Sequence, residues 1–183
     1  MTPATLYRPR DHVLGDIING APVYVGQPPF KYADTGYADF KATSRTAMVY
    51  AAANDGMLHA FDANSGEEQW AYIPSAVIPN LYKLADTNYA GKHQYFVDGA
   101  PVMGDIKVGT EWKTILVGGL NKGGKAYYAL DITNPASPKL LWEFTHSNLG
   151  LTYGNPVITK NAAGTWIVAF GSGYHNNEGS GDG

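Results

Sequence analysis

Apolar residues occupy both sides of the run Met48–Ala53, with Met48, Tyr50 and Ala52 on one face and Val49, Ala51 and Ala53 on the other. An antiparallel strand with one wet face alternates apolar and polar residues. A strand free of charge on both faces is therefore expected between two packed layers. Asn54-Asp55-Gly56 tolerates positive φ and suits a tight hairpin. Met57–Ala63 then runs back, Asn64-Ser65-Gly66 turns again, and Gln69–Ile73 reads as a third strand.

The same order returns downstream. Trp112–Thr145 contains KTILVGGL, NKGGK, AYYALD, ITNPASPK and LLWEFT, again strand, turn, strand, turn, strand. Placing Asp62 on Asp131 sets Ala60 on Ala129 and His59 on Tyr128, and the last strands align Trp70 with Trp142 and Tyr72 with Phe144. A further copy begins at Thr165 with WIVAFGSG. Each copy is preceded by Gly-x-Pro-Val, at Gly20–Val23, Gly99–Val102 and Gly154–Val157. Repeated four-stranded units are what a β-propeller requires. The expected fold is all-β, a propeller fragment of about two and a half four-stranded antiparallel blades. The first blade is placed at about 16–74, the second at about 99–145 and an incomplete third at about 154–183. A closed ring commonly has about four to eight blades, so the sequence is expected to be part of a longer propeller.

Between these units, Asp16–Gly26 reads as the inner strand of the first blade, with Pro22 where a missing N–H is tolerated. Gln27–Thr46 reads as a long aromatic-bearing loop, a length often associated with function although packed surface loops are commoner. Ser75–Leu84 suggests a short helical turn that packs Ile78, Leu81 and Leu84 onto the sheet.

Composition narrows the classes. Hydrophobic residues make up 44% and charged residues 16% of the chain, which describes a packed globule rather than a disordered segment. A net charge of −3 carries no basic footprint, so nucleic acid is not an expected partner. Without cysteine, thiols do not report the redox compartment. No run has the length and apolarity of a membrane span. The first residues, MTPATLYRPRDHVLG, lack a secretory signal pattern, so any signal peptide is expected outside this sequence.

Asp62, Gly66 and Trp70, after the small-residue strand VYAAAND, resemble the repeat of quinoprotein-type propellers, in which the Trp docks between neighbouring blades. A longer resemblance runs through LGDIINGAPVYVG, VYAAANDGMLHAFDANSGEEQWAYIP, YFVDGAPVMGD, ILVGGLNKGGKAYYALDITNP and WIVAFGSGYHN. In that order they are similar to the C-terminal propeller of the PilY1 family of type IV pilus tip-associated proteins. The resemblance implies an exported bacterial protein of the cell surface or fimbrium. Such a protein supports pilus assembly, opposes retraction and aids attachment to a host or abiotic surface. Its partners would be pilins, minor pilins or other assembly proteins. It also implies a calcium loop of the D-x-D-x-N-x-x-x-D type, which no segment here matches, so calcium is expected in the longer family member and no cofactor on these residues.

The residues give no enzyme. His59 and Asp62 lie three apart on a strand and point to opposite faces, so an aromatic packing role is the simpler reading of His59. Asp62 and Asp131, each before a turn, read as carboxylates bonded to local backbone N–H groups. Trp70 and Trp142, one per blade, read as largely buried blade-docking residues, with Gly66 in the preceding turn. Asn176, Asn177, Glu178 and Asp182 are a dense oxygen cluster without a known cation spacing and read as a solvated turn. No catalytic, cofactor-binding or metal residue is assigned. The readings kept beside the pilus scaffold are a quinoprotein-type dehydrogenase and an outer-membrane protein assembly scaffold.

Overall fold

Turn residues set the meander. In the computed structural model, which describes residues 6–176, Gly56 sits at φ 95° and Gly66 at φ 75°. A Cβ on Gly56 would also lie 2.3 Å from the Leu81 side chain, so this hairpin requires glycine on two counts. The strands on either side pair antiparallel as β1 (Val23–Val25), β2 (Met48–Ala53), β3 (Met57–Asp62) and β4 (Glu68–Tyr72), in that spatial order. A second sheet repeats the order with β5 (Val102–Val108), β6 (Glu111–Gly119), β7 (Tyr127–Asp131) and β8 (Lys139–Phe144). A third contains β9 (Val157–Lys160) and β10 (Trp166–Ala169). The fold is all-β, an open arc of propeller blades.

Register shows how closely the two full blades correspond. Ala60 pairs with Trp70 and Ala129 pairs with Trp142, and in each sheet the ladder slips immediately beyond that pair. One residue before each Trp, Gln69 and Leu141, is left outside the register, the geometry of a β-bulge. The period-2 alternation of β6 then divides its side chains between two cores. Leu116 joins Tyr50, Leu58, Tyr128 and Leu130 between the first two blades. Ile115 and Val117 join Ala129, with Ile158 and Val168 packed against them, between the second and third. A strand apolar on both faces is thus a strand with a blade on each side.

Several connections differ from their sequence reading. The inner strand of the first blade is only Val23–Val25, because residues 16–20 are drawn into side-chain bonds at the blade end. The Gln27–Thr46 connection is not merely loop; it contains helix α1 (Tyr37–Ala42). Its aromatic residues leave the first blade and pack on the others. Tyr32 stacks on Trp112 at 5.4 Å and meets Trp166 edge-on at 5.4 Å, while Tyr37 meets Trp112 at 4.6 Å. The helical turn after β4 is a 3₁₀ helix, Ile78–Ala85. Ile78 is 55% exposed rather than packed, and Val77 is the residue buried there. Leu81 and Leu84 do pack against the core. The 3.0-residue turn of a 3₁₀ helix rotates side chains differently from the α period and turns Ile78 outward.

Candidate functional site at the blade interfaces

His59 lies on the face of the first blade turned away from the second, opposite Ala51 and Ala71 in the register. The β2–β3 turn brings Asp55 back toward it, and the outer strand brings Glu68. His59 Nε2 is 3.1 Å from Asp55 Oδ2 and Nδ1 is 2.8 Å from Glu68 Oε1. Ionised carboxylates only accept hydrogen bonds, so this pair of contacts favours the imidazolium, in which both ring nitrogens donate. Burial pulls the His59 pKa down, but the two carboxylates outweigh it and hold it above its usual value. Burial likewise pushes Asp55 up, yet His59 and the N–H groups of Gly15 and Met57 hold its carboxyl below the usual range. This replaces the aromatic packing role read from sequence, although the ring does stack on Phe61 at 5.9 Å. Both ring nitrogens of His59 are thus engaged by carboxylates of its own blade.

The same blade end continues into a polar network. Asn54 Nδ2 donates to Asp16 Oδ2 at 3.0 Å, and Asn54 Oδ1 accepts from Phe96 N–H at 3.0 Å. Buried Asp98 accepts from the Asn19 side chain at 2.6 Å, and His93 faces Asp16 at 3.0 Å. These bonds attach residues 15–19 and 93–98 to the β2–β3 hairpin.

A second buried acid anchors the long insert. Asp105, fully buried in β5, accepts from Tyr37 Oη at 2.8 Å and from Thr114 Oγ1 at 2.6 Å. Thr114 Oγ1 in turn accepts from Arg45 Nη1 at 2.6 Å, and Arg45 Nε donates to Gly26 O at 2.5 Å. Burial and the Asp105 charge push the Tyr37 phenol up, so it remains a donor. The sequence carries no local signal for this bridge: Asp105 shares its strand with Lys107, and its partners lie 68 and 9 residues away.

The residues singled out by the repeat are placed as follows. The Trp70 indole N–H donates to the carbonyl of Pro135, in the turn between β7 and β8, at 2.8 Å. Trp142 packs against the core between the second and third blades. Both indoles are partly buried, each packed against a core between blades. Asp62 Oδ1 accepts the N–H groups of Asn64 and Ser65 at 2.8 and 3.0 Å, and these bonds hold its carboxyl low. Asp131 accepts Thr133 N–H at 3.0 Å and pairs with Lys113 at 2.7 Å. Gly66 closes the turn after Asp62 with an N–H bond to its carbonyl at 2.8 Å. In the terminal oxygen cluster, Asn176 Nδ2 donates to Ser172 Oγ at 2.7 Å; Asn177, Glu178 and Asp182 lie outside the described residues. No group of three or more His, Asp or Glu side chains converges as a metal site among the described residues, so they do not fit the calcium loop implied by the resemblance. Among the described residues, no helix is long and apolar enough to cross a membrane.

Meanders stacked face to face, with a Trp on the fourth strand of one blade bonded to the next, define a β-propeller domain whose buried polar groups join its elements to one another. The chain belongs to the PilY1 beta-propeller domain family, whose match spans residues 14–183. It is 44% identical to a type IV pilus biogenesis factor PilY1 homolog of Xylella fastidiosa over 181 residues, covering 91% of this chain and 14% of that protein. It is 41% identical to the type IV pilus biogenesis factor PilY1 of Pseudomonas aeruginosa over 183 residues, covering 92% of this chain and 16% of that protein. The crystal structure of the Pseudomonas aeruginosa PilY1 C-terminal domain aligns with a TM-score of 0.69 at 38% identity, covering 83% of this chain and 32% of that one. The chain thus spans a small part of the relatives it matches.

Proposed function

We propose that this propeller is a non-enzymatic module of a type IV pilus biogenesis factor, acting at the cell surface or fimbrium through contacts with pilins, minor pilins or other assembly proteins. In this reading it supports pilus assembly, opposes retraction and aids attachment, and the stretch works without a bound cofactor. Any calcium would act elsewhere in the longer protein. The observation that carries the reading is the family match over residues 14–183. The double engagement of His59, the most buried histidine candidate for acid–base work, supports the non-enzymatic part. Trp70 and Trp142 are proposed as the blade-docking residues, with Asp62, Gly66 and Asp131 shaping the turns that present them.

The test is an in-frame deletion of the propeller in a piliated bacterium, with the remaining protein exported at its normal level. Sheared surface pili are expected to fall in number and to return when retraction is also disabled. Normal piliation in the deletion strain would overturn the proposal.

A further inference from the structure

Residues 8–16 run along the end of the first blade and border, with Asn54 and Asp55 of the β2–β3 turn, an open cavity of about 270 Å³. Its lining includes Arg8, Arg10, Asp11, Asp16, Asp55 and Tyr89. The charges there divide into engaged and unengaged groups. Asp55 is held by His59 and by the N–H groups of Gly15 and Met57. Asp16 is held by His93 and Asn54. Asp11 is exposed.

Arg8 is different. Its backbone N–H is tied to Ala85 O at 3.0 Å, and its guanidinium carbon lies 4.2 Å from the centroid of the Tyr89 ring. That contact with the ring leaves the guanidinium N–H donors without a hydrogen-bond acceptor. The buried Nε meets no acceptor, and the guanidinium makes no hydrogen bond or ion pair to any described residue. Arg10 gives an N–H to the carbonyl of Val13 and has no acid partner among the described residues. Arg8, Arg10 and Tyr89 all line the cavity. Nε is shut off from solvent, so a ligand would meet the terminal Nη groups. A guanidinium held against a ring with its terminal Nη groups unpaired offers the paired N–H donors that carboxylate and phosphate oxygens match.

We propose that this cavity is an oxyanion-binding site in which ligand oxygens accept from the edge of Arg8 and Arg10 supplies the second positive charge. The ligand is a carboxylate or phosphate group, either a free anion or the acidic side chain of a protein partner. Tyr89 acts as the positioning residue, since its ring packs against the Arg8 guanidinium.

The test is calorimetric titration of the protein with its propeller complete, at fixed ionic strength. The probes are inorganic phosphate and a short peptide rich in glutamate. Binding of phosphate alone would assign a free anion, and tighter binding of the peptide would assign a partner's carboxylate. In either case Arg8→Gln is expected to weaken binding at least tenfold and Arg8→Lys to weaken it less. Should Arg8→Gln fail to fold, Arg10→Gln, on an exposed residue, is expected to weaken binding severalfold. Heat signals absent for both probes, or unchanged by these substitutions, would overturn the site.

Discussion

The imidazolium at His59 links the first blade to pH, and the direction follows from the shifts. His59 titrates higher in the folded protein than its ordinary 6.5. Its contribution to stability is therefore complete below the unfolded value and is lost as pH rises through the folded one. Asp55 titrates below its ordinary 3.8, so its contribution is present above that value and lost as pH falls through the folded one. Urea midpoints should be highest between these limits and decline on the alkaline side. In Glu68→Gln that alkaline decline is expected to begin at lower pH, and an unchanged profile would contradict the double carboxylate contact. Asp55→Ala removes the more buried partner and should cost about 3 kcal/mol, read as a shift in urea midpoint. At Gly118 the constraint is steric: a Cβ there would lie 2.3 Å from Tyr128 Oη, so the buried ring depends on a bare backbone.

Between elements, the bond from Trp70 to Pro135 and the bridge from Tyr37 through Asp105 to Thr114 tie the first blade and its insert to the second. Trp70→Phe keeps a ring and removes the N–H, at an expected cost of about 1 kcal/mol. Trp70→Ala also opens a void. Because the indole is half-buried, its cost should fall near the low end of the range for core aromatic truncation, about 3 kcal/mol. Chemical denaturation of the two variants separates bond from packing; equal losses would mean that the hydrogen bond carries the contact. Tyr37→Phe leaves fully buried Asp105 with one donor fewer and should cost about 2 kcal/mol. Its effect is expected to appear first as protease cleavage within residues 27–46, since the insert loses its anchor before the sheets do.

For the 183-residue chain expressed alone, the decisive feature is the groove between the second and third blades. It holds about 400 Å³ and is lined by Ile115, Trp142, Ile158, Ile167 and Phe170. Ile167 is 38% and Phe144 41% exposed. Exposed apolar surface and open strand edges drive association, and repeat arrays without capping units lose solubility in the same way. Light scattering of the isolated chain is expected to show mass rising with concentration. Ile167→Lys should reduce that rise, whereas a monodisperse wild-type monomer would show that the chain covers its own faces.

Some of this was legible in the residues alone. Strands, hairpins and blade repeats follow from local causes: alternation of side chains along a strand, positive φ at glycine, and the recurring spacing from Asp through Gly to Trp. The pairings of Ala60 with Trp70 and of Ala129 with Trp142 express that spacing directly. The polar bridges were not legible. Asp105 meets Tyr37 and Asn19 meets Asp98 across 68 and 79 residues, and nothing local in the chain distinguishes those acids from solvated ones. Gln27–Thr46 reads as loop because its aromatic residues follow no strand or helix period; they follow the rings of Trp112 in the second blade and Trp166 in the third. His59 reads as a packing residue because its partners arrive by a turn and a bulge. Periodicity records which face a residue takes, whereas hydrogen-bond partners depend on where closed turns and stacked sheets bring distant atoms within 3 Å or so of each other.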